Sequence, residues 1–239
     1  MPNTLILQLS RRDEIPAYER RELLDLFTNE RVVPAGQELI PEGSRSSFSL
    51  LLLDGFAARF KTLSTGARQI TGVHVPGDFL DLHGFLLKTL AYGVVTLSDC
   101  RIAQADHDAL RKITATSPHL ARLLWLDTLI DASVSREWLA SMGRRSAEGH
   151  LAHLICELFT RLEVVRQTSG YSFRVPFKQA DLADILGLSV VHVNRTLQSL
   201  RKQGLIIWEG TRVHVENWEG LVKIAEFDPT YLCLHSEPR

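Results

Sequence analysis

Seven residues lying close together in the chain carry the plainest chemistry this sequence offers: Ser189, Val190, Val191, His192, Asn194, Arg195 and Gln198. They supply a guanidinium, an imidazole, two amides and a hydroxyl beside two branched apolar side chains. These are the groups that hydrogen-bond to base edges and phosphates and press on apolar base surface. No Gly-rich phosphate loop, Ser/His/Asp constellation or paired-carboxylate motif stands out, and His107-Asp108 and the Asp78/Asp81 pair are isolated. An enzyme is therefore not expected.

A scaffold must present those seven residues, and Gln179 to Gln198 (QADLADILGLSVVHVNRTLQ) has the spacing of one. Leu182, Ile185 and Leu186 recur at i, i+3, i+4 and share a helix face. Ala183 is small where a second helix would cross. Gly187 stands where the first helix must stop, a left-handed position that favours glycine. Ser189 suits the N-cap of a second helix, and Val193, Leu197 and Leu200 supply its buried face. An ordinary helical hairpin shares the periodicity, but small, glycine and cap residues in register favour a helix-turn-helix, which sets its second helix into the DNA major groove. GLIIW (Gly204 to Trp208), the turn Glu209-Gly210-Thr211 and the alternating Arg212 to Val215 then predict a β-hairpin wing. Between Ser141 and Val215 ten Lys/Arg stand against six Asp/Glu, in a chain whose net charge is −1. That is a local positive footprint suited to phosphates.

The remainder bounds the architecture. With 239 residues, 45% hydrophobic and 23% charged, the chain has the make-up of a soluble protein of two modest domains. No apolar run approaches a membrane span and no signal peptide is expected. Cys100, Cys156 and Cys233 are few and far apart, which fits a reducing cytoplasm. Between Arg31 and Asp108, glycines at 36, 43, 55, 66 and 77 separate short β-type runs (ELI, FSLLLL, AARFKTL, QITGVHV, YGVVTL), predicting a β-barrel or roll. Ala17 to Asn29 reads as a helix with Leu23, Leu24 and Phe27 on one side, and Asp106 to Thr114 as a short helix. A long helix is expected from Ser117-Pro118, with Ser117 as cap, to Met142-Gly143. Its stripe Leu123, Leu126, Ile130, Val134, Trp138 packs on its own domain or on a second copy; the second is favoured, because two-fold DNA readers need a partner. Asp127, Asp131 and Glu137 interrupt a strict heptad. The expected class is α+β: residues 1–116 a β-roll, 117–142 a dimerisation helix, and 143–239 a winged helix-turn-helix.

This order resembles the Crp/Fnr family of bacterial transcription regulators over nearly the full chain. The resemblance rests on GQELIPEGS (Gly36 to Ser44), PGDFLDL (Pro76 to Leu82), SDCRIA (Ser98 to Ala103) and LADILGLSVVHVNRTLQSLRKQGLI (Leu182 to Ile206). It implies a homodimer, a cyclic-nucleotide-binding-like sensor roll, a palindromic site on double-stranded DNA, and RNA polymerase as a further partner. A signalling or protein-interaction module of the same fold that has lost DNA binding is the alternative.

Departures from the family pattern narrow the chemistry. The Gly-Glu pair that grips a nucleotide's ribose falls at Asp81-Leu82, and the Arg-Ser pair that holds its phosphate falls near Leu90-Ala91. With Phe79 these define the candidate effector pocket. No arginine lies between Arg68 and Arg101, and a buried phosphate without a cation is costly. Cyclic AMP and cyclic GMP are not expected to bind. The family's iron–sulfur branch uses an N-terminal cysteine cluster, whereas the first cysteine here is Cys100. Haem through His74 or His83 is not expected either. His150, His153 and Cys156, at i, i+3, i+6, form part of a metal face or pack against the winged domain; no metal is expected. The family's base-reading positions map onto Val190, Val191 and Arg195. Arg195 can donate twice to guanine, and Val191 stands where relatives carry a glutamate. Lys178, at a position where threonine often caps, and Arg201 are expected on phosphates.

Overall fold

The computed structural model describes residues 3–239; Met1 and Pro2, counted above with the first domain, lie outside the described residues. The glycine-punctuated segment folds into a roll of two antiparallel sheets. Its strands are β1 (Phe27–Val33), β2 (Glu38–Ile40), β3 (Phe48–Asp54), β4 (Ala57–Thr62), β5 (Arg68–His74), β6 (Gly93–Thr96) and β7 (Cys100–Asp106), in the orders β1-β7-β3 and β2-β6-β4-β5. Leu50, Leu52, Ile40, Val94 and Ile102 fill the space between the sheets. Helices α1 (Asn3–Ser10) and α2 (Ala17–Leu24) precede the roll, the one-turn α3 (Gly84–Leu87) interrupts it, and α4 (His107–Thr116) closes it. Gly77 turns the chain at φ +100° where any Cβ would stand 2.9 Å from the backbone of Thr4, so only glycine lets α1 lie against that turn.

Two sequence expectations need correction here. The helix expected to reach Asn29 ends at Leu24, and Phe27 opens β1. Pairing with β7 (Phe27 opposite Ala105) and stacking of Phe27 on Phe79, 5.8 Å between ring centres, outweigh local helical periodicity. Ser117 does precede the long helix α5 (Pro118–Arg144), but its hydroxyl donates to Glu22 at 2.8 Å instead of capping. α1 was not anticipated.

The chain continues through α6 (Ala147–Val164), β8 (Thr168–Ser169), β9 (Ser172–Arg174), α7 (Gln179–Leu186), α8 (Val190–Lys202), β10 (Ile206–Glu209), β11 (Arg212–Val215) and α9 (Trp218–Ala225). The small sheet has the order β10-β11-β9-β8, and β10 and β11 are the expected wing. A single apolar cluster joins Phe56, Ile70 and Val73 of the roll to Ile130, Val134 and Trp138 of α5 and to Ile155, Leu182 and Val193 of the winged domain. After a 3-10 turn at Pro229–Leu232 the tail runs back over α1, where Glu237 N–H donates to Arg12 O at 2.9 Å. Among the described residues no helix is long and apolar enough to cross a membrane.

Where this tail ends, His119 of α5 lies between Glu19 (2.5 Å) and Asp13 (3.1 Å), and Asp13 also accepts from the Arg239 N–H at 2.6 Å. Burial opposes the imidazolium, but hydrogen bonds to Glu19 and Asp13 outweigh it and raise the His119 pKa. A raised native pKa adds stability that is fully present below the unfolded value near 6.5 and is lost as pH rises through the native value. We therefore expect His119→Gln to lower the urea midpoint most below pH 6, with the deficit against wild type shrinking toward pH 8. A deficit that does not vary with pH would refute this.

Candidate nucleic-acid interface and sensor joint

The helix-turn-helix forms from local instructions. Gly187 ends α7 at φ 64°, ψ 31°, a left-handed stop, and Ser189 Oγ caps α8 by accepting from His192 N–H at 3.3 Å. Lys178 cannot accept a capping bond, yet α7 does not start loosely. Asp181 reaches back to accept the Lys178 N–H at 2.9 Å, the returning half of a capping box. Leu182, Ala183, Ile185 and Leu186 are buried against Val193, Leu197 and Leu200.

The outward face of α8 carries Val191, Arg195, Gln198 and Lys202, at steps of four, three and four. Val191 is 70% exposed and Val190 39%. Arg195, Gln198 and Lys202 are exposed and make no hydrogen bond or ion pair among the described residues. His192 and Ser189 are also exposed. Asn194 is half-buried and donates to Gln179 Oε1 at 3.0 Å, so it braces the two helices against each other. Arg201 donates to Trp208 O and fixes the wing to the recognition helix. Lys178 is exposed at the start of α7.

The roll holds this unit directly. Arg68 donates to Asp184 at 2.7 Å and to Asp181 at 3.1 Å, while Gln69 donates to Asp184 O at 2.6 Å. These contacts neutralise the two carboxylates of α7 next to the positively charged reading face.

The stripe expected on a partner is turned inward. Leu123, Ile130, Val134 and Trp138 are buried within the chain and Leu126 is partly buried. Roll and winged domain together cover that side of α5. The opposite side exposes Trp125 (66%), Leu129 (47%), Leu139 (69%) and Met142 (39%). The acids that interrupted the heptad also lie inward: Asp131 pairs with Arg59, and Glu137 with Arg145.

The candidate effector residues do not line one pocket. Leu82 and Leu90 are sealed in the roll, and Ala91 is exposed. Asp81 is buried and accepts the Leu50 N–H at 2.7 Å; burial pushes its carboxyl up to about 7, against the pull of that bond. Phe79 alone reaches the cavity between roll, α5, α6 and tail, about 50 Å³ in volume, which is room for a few waters. Its charged lining brings together Arg12, Arg59, His74, Asp78, Asp127, Asp131 and Arg161, a grouping not read from the sequence. Arg59 donates to Asp131 at 2.8 and 3.1 Å and to Ser135 at 3.1 Å. Burial raises the Asp131 pKa, but Arg59 outweighs it and holds the carboxyl below its ordinary value. Burial pushes Asp127 up to about 7, with Arg12 pulling it back, and drives His74 down to about 4. An arginine amid the apolar AARFKT and acids at i, i+4 on an apolar helix were the available signals. His153 stacks on Tyr231 and meets Phe227 edge-on. Among the described residues no three His, Cys, Asp or Glu side chains stand together as a metal site.

A family model described as the Crp-like helix-turn-helix domain matches residues 149–224, and one described as the cyclic nucleotide-binding domain matches residues 30–117. The chain is similar to a probable transcriptional activator of Rhizobium leguminosarum bv. viciae, 33% identical over 182 residues that cover 76% of this chain and 75% of that one. It is also similar to the transcriptional activator protein FnrL of Cereibacter sphaeroides, 29% identical over 185 residues covering 76% and 74%. Among solved structures, FixK2 of Bradyrhizobium japonicum shares the fold with a TM-score of 0.74, at 23% identity over 82% of this chain and 96% of that one.

The residues of the roll do not fit a cyclic nucleotide. Leu90 and Ala91 bring no cation of their own, Lys61 beside Ala91 is spent on Glu42 and the Ala91 carbonyl, Leu82 cannot hold a ribose hydroxyl, and the nearby Arg59 is committed to Asp131. Isothermal titration with cyclic AMP or cyclic GMP should give no saturable heat; micromolar affinity would refute this.

Proposed function

The chain belongs to the Crp/Fnr family of DNA-binding transcription regulators, and we propose that it reads a palindromic site as a homodimer without a cyclic nucleotide. The observation that carries this reading is the outward stripe of α8. Its donors have no partner among the described residues, while the apolar residues behind them, Val193, Leu197 and Leu200, are spent on the scaffold. Arg195 is assigned to guanine O6 and N7. Val191, unable to accept from cytosine, is assigned to apolar contact such as a thymine methyl. Ser189, Val190, His192 and Gln198 flank these contacts, Lys178 meets a phosphate, and Asn194 and Arg201 act by bracing.

A second copy is assigned to the exposed side of α5. Trp125, Leu129 and Leu139 are large apolar side chains left in water on one face of a 27-residue helix, an arrangement that marks an interaction surface. In this reading residues 1–116 form the sensor roll, 117–142 the dimer helix and 143–239 the reading domain. The protein acts in the bacterial cytoplasm, meets RNA polymerase at its promoters, and is assigned neither catalysis nor a cofactor.

Arg195→Ala should lose about 1–3 kcal/mol of discrimination against substitution of the paired guanine, while keeping non-specific binding. Selection from random DNA should return half-sites that keep one guanine and relax the neighbouring G·C pair. A consensus equal to that of glutamate-bearing relatives would overturn the Val191 assignment, and failure to bind every DNA at low salt would favour an interaction module. Trp125→Glu with Leu129→Glu should convert the dimer to a folded monomer in sedimentation. A wild-type monomer at micromolar concentration would refute the dimer.

A further inference from the structure

β9 and β11 place Arg174 directly opposite Arg212. Both side chains point to solvent, alternating with the buried Phe173 and Val213. Residues opposed in this way have Cβ atoms roughly 4.5–5.5 Å apart, and like charges at that separation repel. Neither arginine has an ion-pair partner among the described residues. Glu209, across from Arg212 on the third strand, does not come within ion-pair distance. The pair borders a crevice of about 250 Å³ whose other polar lining is Gln167, Thr168, Ser169 and Ser172. Two guanidiniums, three hydroxyls and an amide without a carboxylate make a site for an anion.

Its location selects the anion. The Val175 N–H donates to Thr211 O at 2.7 Å, which ties the end of β9 to the wing tip, and Lys178 opens α7 three residues later. The arginine pair therefore sits on the small sheet between the wing and the segment that leads into the helix-turn-helix.

We propose that Arg174 and Arg212 together clamp one phosphate of the DNA backbone beside the wing, an inference that rests on the DNA-binding reading above. A phosphate offers acceptors to both planar donor forks and relieves the repulsion between them. The clamp therefore costs the free protein stability and returns it on binding.

The test uses full-length protein and measures affinity for a specific and a random duplex against salt concentration, with Arg174→Ala, Arg212→Ala and the double variant. Because one phosphate is shared, the double variant should lower the log–log salt slope by about 0.9, with each single variant losing no more than that. Affinity should fall alike for both duplexes, whereas Arg195→Ala should lower affinity for the specific duplex alone. Without DNA, the single variants should unfold at or above the wild-type temperature. An unchanged slope in the double variant overturns the clamp, as does an additive loss of about 1.8, which would mean two separate phosphates. Variants that unfold earlier would mark the arginines as structural and also overturn it. Wild-type protein that binds neither duplex would fail the DNA-binding reading itself, a result distinct from altered slopes.

Discussion

Arg161 is a guanidinium carried into the interior by α6, and the rest of the molecule is arranged so that it can stay there. A buried charge is tolerated only when it is paired and hydrogen-bonded. Arg161 donates to Val73 O at 3.0 Å, to Glu157 at 3.1 Å and to Asp78. Those carboxylates raise its pKa against the opposing effect of burial, while burial raises that of Glu157. Each acceptor is shared. Asp78 also takes the Val75 N–H and Gln8, and Glu157 takes the Trp138 indole and the Tyr231 hydroxyl. One cation thereby fixes the PGDF turn, α1, α5 and the C-terminal turn to the helix on which the reading domain is built.

The orientation of the DNA-reading surface follows from that joint and from the β4–β5 hairpin. Arg68 and Gln69 grip α7 from the roll, so Asp181 serves both as helix cap and as an interdomain anchor. On the other side of the joint Arg59 reaches Asp131 and ties the roll to α5 with an internal ion pair. A site that held a small molecule between roll and helix would need donors and acceptors in that region. Here Arg59, Arg161, Asp78 and Asp131 are paired within the chain, whereas Arg12 Nε and His74 Nε2 of the same cavity are buried without a hydrogen-bond partner among the described residues.

Legibility followed the range of the interactions. The helix-turn-helix was readable because its stop at Gly187, its cap at Ser189 and its i, i+3, i+4 face are all set within a few residues. The wing and most strands were readable for the same reason. The end of α2 was not, because Phe27 becomes a strand only by pairing with Ala105 of β7, far away in sequence. The apolar stripe of α5 announced a buried face, but periodicity does not say what covers it. Roll and winged domain take that face, and the side left in water is the one bearing Trp125 and Leu129.

The sequence by itself determined the α+β class, the reading helix and its outward residues, and the absence of a basic residue at Asp81-Leu82 and Leu90-Ala91 of the roll. These depend on residue type and short spacing, which the chain states directly. Only the tertiary structure decided which acids would meet Arg59 and Arg161, which side of α5 would stay in water, and that Arg174 would stand opposite Arg212. Each of these is a pairing between distant segments, set by sheet register and by the need to neutralise buried charge, and neither leaves a local signature.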